Sequence, residues 1–138
     1  MAVDRSRLPT NKQIEQYEYL VPMLDSALNE VREFAKRKQD GILSKVKITI
    51  INRLLKELRE ILKNEETLAY LDLLDEEELP QNSDVVVILG QYHAALDSFK
   101  KKHRPKDYLG WITKEGHEAK GEEDEEEGDA GEDESTNQ

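Results

Sequence analysis

The chain has 138 residues, 37% of them charged and 36% hydrophobic, a formal net charge of −11 and no cysteine. That length suits one domain, and the missing cysteines exclude disulfides, thiolate chemistry and Cys-based zinc sites. No apolar run reaches the ~18 residues of a membrane helix, and no basic-then-apolar N-terminal stretch reads as a signal peptide, so the expected location is cytoplasmic.

The charge is unevenly placed. Residues 121–138 contain ten of the 31 acids and no Lys or Arg, which leaves residues 1–120 with 21 acids against 20 bases. A stretch whose one apolar side chain is Ala130 cannot offset the roughly 1–2 kcal/mol per residue of backbone ordering entropy. The chain therefore divides into a helical domain, 8–112, and a disordered acidic tail, 113–138.

The first element opens at Thr10, with Gln13 three residues on, a capping-box signature. Ile14, Tyr17, Val21, Leu24, Leu28, Val31 and Ala35 then recur at alternating spacings of three and four, a coiled-coil-grade stripe that suits either an internal core or a dimer seam. Lys36, Arg37 and Lys38 complement the dipole at the far end, and Gly41 reads as a stop. Pro22 lacks an N–H and should kink the helix. The stripe keeps its phase across it.

The next run, Lys45 to Ile51, alternates like an edge strand. Yet Leu43, Val46, Ile50, Ile51, Leu54, Leu55, Leu58, Ile61 and Leu62 share one face at ~100° per residue, which predicts one helix over 43–63. A short helix over 65–74 follows, with Asn64 as its cap, then a polar connection over 75–82. Ser83 should cap a helix over 84–102. Its opening, Val85 to Leu89, is β-branched enough for a buried strand, with Gly90 as a terminator. Two strand-like runs are too few for an independent sheet. The expected fold is all-α, a small antiparallel bundle of three to four helices; an α+β fold requires 45–51 and 84–89 to be strands. Beyond Pro105, the segment from Asp107 to Ile112 should fold back over the end of the bundle.

No catalytic constellation emerges. His93, His103 and His117 lack a Ser or Cys nucleophile in a recognisable context. Gly90, Gly110 and Gly116 form no phosphate loop. His93 and Asp97, one helical turn apart, make at most half a metal site. Glu76, Glu77 and Glu78 lie in a solvated loop. The reading assigns no catalytic residue, no metal, no cofactor, no small-molecule substrate and no membrane contact.

The basic residues carry more signal. Lys45, Arg53, Lys56, Arg59 and Lys63 project within ~60° of one direction, opposite the apolar face of the second helix. Lys100, Lys101, Lys102, Arg104 and Lys106 form a second cluster, followed by Tyr108 and Trp111. Charge with nearby rings is the pattern of single-stranded nucleic-acid binding, although a near-neutral domain argues against strong binding.

Two functions follow as expectations. The first is a non-catalytic helical interaction module, such as a regulator, adaptor or small subunit, whose partner is another protein or a second copy of itself. In it the tail acts as a solubility brush or as a competitor for the basic patches. The alternative is a nucleic-acid-associated protein that uses the two patches.

Overall fold

The computed structural model describes residues 5–118; the acidic stretch 121–138 lies outside them. Three long helices dominate: α1, Asn11–Arg37; α2, Lys45–Ile61; and α3, Asn82–His103. The fold is all-α. Both strand-like runs are helical, and the only pairing of strand type recorded among the described residues is an isolated antiparallel bridge between Ile42 and Gln81.

The capping box starts α1. Thr10 accepts a hydrogen bond from the Gln13 N–H, and the Gln13 side chain accepts one from the Thr10 N–H at 2.8 Å. The helix runs unbroken through Pro22. Its stripe is core within the chain: Ile14, Tyr17, Leu24, Leu28 and Val31 are buried, with Val21 packed against them. Ala35, the last position of the stripe, is half-buried.

Ser44 caps α2 by accepting from the Lys47 N–H, so the helix starts two residues after the predicted Leu43. Leu43 is buried beside the cap. The alternation of 46–50 has a helical cause. Ile48 points into the core, while Val46 and Ile50 stay exposed at 68% and 51%.

α3 begins one residue before Ser83, and Gln81, its N-cap, makes no side-chain bond. The first N–H groups of a helix need outside partners. Here the Asn82 and Ser83 N–H groups donate to Gly41 O at 2.7 Å and Gln39 O at 3.2 Å. Gly41 is thus not the predicted stop: α1 ends at Arg37 with Lys38 as its C-cap, and the φ of Gly41 is not positive. It is a place of close approach, where an added Cβ would meet Asn82 Nδ2 at 3.1 Å.

These contacts fix the chain directions. The start of α3 meets the end of α1, and Phe99 near the end of α3 stacks on Tyr17 near the start of α1, with centroids 5.7 Å apart. Gln13 Nε2 donates to Glu60 O near the end of α2 at 3.1 Å. Both α2 and α3 are therefore antiparallel to α1, and they run parallel to each other.

α2 and α3 each pack on α1, and residues 62–81 cross from the end of one to the start of the other. The predicted helix over 65–74 is instead a 3-10 turn, Glu66–Tyr70, followed by extended chain. The reason lies in its backbone partners. Asn52 Nδ2 donates to Leu74 O at 2.7 Å, and Asn52 Oδ1 accepts from the Leu74 N–H at 2.8 Å. Arg59 donates to Leu71 O and Tyr92 Oη to Asp72 O. Side chains of α2 and α3 thus take the groups that a continuing helix would have paired within itself. Asn64 caps nothing; its carbonyl accepts from Arg7.

The segment after Pro105 closes one end of the bundle. Trp111 packs edge-on against Tyr17 at 5.0 Å and beside Phe99 at 5.9 Å, and its Nε1 donates to Glu18. Residues 113–117, grouped with the tail on sequence grounds, are bonded to the domain. The Lys114 N–H donates to Pro9 O, and the Glu115 carboxylate accepts from the Asn11 N–H.

Candidate interaction surface

The predicted basic residues have different surroundings. On α2, Arg59 turns toward the crossover and donates to Leu71 O. Arg53 turns the other way, to the α1 side. Lys56 and Lys63 remain exposed between them, and Lys45 faces Glu77 at 3.8 Å. On α3, Lys101 pairs with Asp97 at 3.0 Å and Lys102 with Glu65 at 3.5 Å. Arg104 lies 5.9 Å from the Trp111 ring centroid. Lys100 and Lys106 are exposed, as is Tyr108. Trp111 is committed to the core, so the aromatic partner expected for a stacking platform is reduced to Tyr108.

Electrostatics follow the same pairings. The hydrogen bond and charge of Lys101 hold the Asp97 carboxyl below its ordinary range. Burial, aided by Asp97, Glu18 and Asp25, pushes the Tyr17 phenol up to about 12. Burial also raises Tyr92, with Arg59 opposing. Among the histidines, His93 Nδ1 lies 3.2 Å from Asp25 on α1. His103 is buried and meets Glu65 at 3.1 Å. Among the described residues, no three His, Asp or Glu side chains gather to hold a metal ion.

A different surface stands out. On the side of the α1–α2 pair away from α3, the two helices leave an open groove. One part, of about 430 Å³, is floored by Leu20, Ala27, Ile51 and Leu54 and flanked by Met23 and Ile50. A second part, of about 180 Å³, shares Ala27, Glu30, Ile50 and Ile51 and extends to Phe34 and Lys47. Met23 is 56% exposed. From Leu20 to Phe34 the groove follows about four helical turns, roughly 21 Å. Its charged rim consists of Glu30, Lys47, Arg53 and Glu57. Lys47 Nζ lies 4.5 Å from the Phe34 ring centroid; none of the four appears in an ion pair within 4.0 Å among the described residues.

Reading the sequence assigned Ile50 and Val46 to the core face and gave Met23 no role. The signal was present in the angles. The buried residues of α2 centre on Leu55 and Leu58, and Ile50 and Val46 sit roughly 110° and 150° from that centre at 100° per residue. Apolar residues at the edge of a buried arc mark the side from which a further helix can approach.

No family model matches the chain, and neither does any curated protein or solved structure.

Proposed function

We propose that this protein is a non-catalytic helical interaction module that acts through the α1–α2 groove. The observation that carries this reading is the groove itself, an apolar trough about four turns long with Met23 and Ile50 half exposed on its two walls. An amphipathic helix placed there would complete a four-helix arrangement, the packing that buries such a trough. The crossover fills the side between α2 and α3, whereas the α1–α2 groove is open to an outside partner. The acidic partners of Lys45, Lys101 and Lys102, and the turn of Arg59 to the crossover, favour this reading over nucleic-acid binding, which draws on free charges gathered along one backbone path.

The test is site-resolved photo-cross-linking in the native host. A photoreactive residue at position 50 should give a defined protein adduct, identified by mass spectrometry. The same residue at position 56, on the exposed polar face, should give none. Equal labelling at both positions, or none at position 50, would contradict the proposal.

A further inference from the structure

The charge pattern on the rim of the groove bears on which partner fits it. A two-fold interface pairs a patch with itself, so a patch of one sign repels its own copy. This rim carries two acids, Glu30 and Glu57, and two bases, Lys47 and Arg53. Its order along α2 also matters. Lys47 lies toward the start of the helix and Glu57 toward the end, on either side of Ile50 and Arg53.

Resting on the groove reading, we infer that the partner is a second copy of this chain, docked groove to groove with its α2 antiparallel to the first. In that arrangement Lys47 meets Glu57 of the partner subunit, and the reverse pair forms by symmetry. The exposed faces of Ile50 and Met23 are covered by the partner's Arg53 and Glu30 stems, whose methylenes cover apolar surface while their heads stay wet.

The acidic tail selects this orientation over the parallel one. Residue 118, after which the ten acids of 121–138 follow, belongs to the segment bonded to Pro9 and Asn11 at the start of α1. A two-fold axis running across the helices places the two copies' residue 118 at opposite ends. An axis running along them places both at one end, so that the two acidic sequences continue from the same end and like charge opposes that arrangement.

The test is sedimentation equilibrium of the full chain through the tens-of-micromolar range, with circular dichroism as a check that each variant is folded. Wild type should fit a monomer–dimer equilibrium. Lys47→Glu and Glu57→Lys should each weaken it by up to about twenty-five-fold, from about fivefold for each of two symmetric pairs. The double variant Lys47→Glu/Glu57→Lys should restore it to near wild type. Absence of rescue, or equal rescue of Lys47→Glu by Glu30→Lys, would overturn the antiparallel dimer. A wild type that stays monomeric while position 50 still cross-links a different host protein would overturn the dimer and leave the groove reading intact. Loss of both signals would remove both.

Discussion

Asn52 shows how one buried polar side chain sets the path of twenty residues. It is 2% exposed, and its amide holds both the N–H and the C=O of Leu74. Replacing it with Ala leaves two buried backbone groups unpaired, at about 1–3 kcal/mol each. Asn52→Ala should therefore lose about 2–6 kcal/mol in chemical denaturation, with faster amide exchange at Leu74. A loss within the error of wild type would show that the crossover is held by its leucines alone. Tyr17 carries a second consequence. Its folded pKa of about 12 lies above the ordinary value of 10.0, so the fold favours the neutral phenol. That stabilisation is full below pH 10 and is lost as pH rises toward 12, at no more than about 1.4 kcal/mol per pH unit for this one group. Unfolding measured on either side of pH 10 should show a shallower alkaline decline in Tyr17→Phe than in wild type; equal declines would exclude the phenol as the cause.

At the scale of elements, Gly90 illustrates what a sequence pattern hides. It follows five residues of β-branched or aliphatic type and reads as a strand end, yet it lies inside α3 with open space where a Cβ would go. Gly90→Ala should raise stability by about 0.5–1 kcal/mol, through a smaller entropy loss on folding. A destabilised variant would indicate a close contact at that position. The long helices were legible because α1 and α2 carry unbroken 3.6-residue phases and α1 carries a capping box, all local signals. The crossover was not. Leu68, Leu71 and Leu74 have helical spacing, and only tertiary bonds from Asn52, Arg59 and Tyr92 make that stretch extended. The start of α3 was misplaced for the same reason, since its first N–H groups are satisfied by Gly41 and Gln39, some forty residues away. The groove was half legible: the residues that line it were assigned to the apolar face, but which edge of that face lacks cover depends on where α3 and the crossover sit.

For the whole molecule, the net charge of −11 describes a near-neutral helical body with the excess on its last 18 residues. The body buries its own coiled-coil-grade stripe and keeps a separate apolar groove open. The Met23 methyl group lies on the wall of that groove and reports directly on whether it is used. The decisive measurement is the methyl resonance of selectively labelled Met23, assigned with Met23→Leu, followed as the concentration of the full chain is raised. The account predicts a saturable shift that follows the sedimentation dimer curve and disappears in Ile50→Glu. A Met23 resonance that stays fixed while the protein associates would place the contact elsewhere and contradict the assignment of the groove.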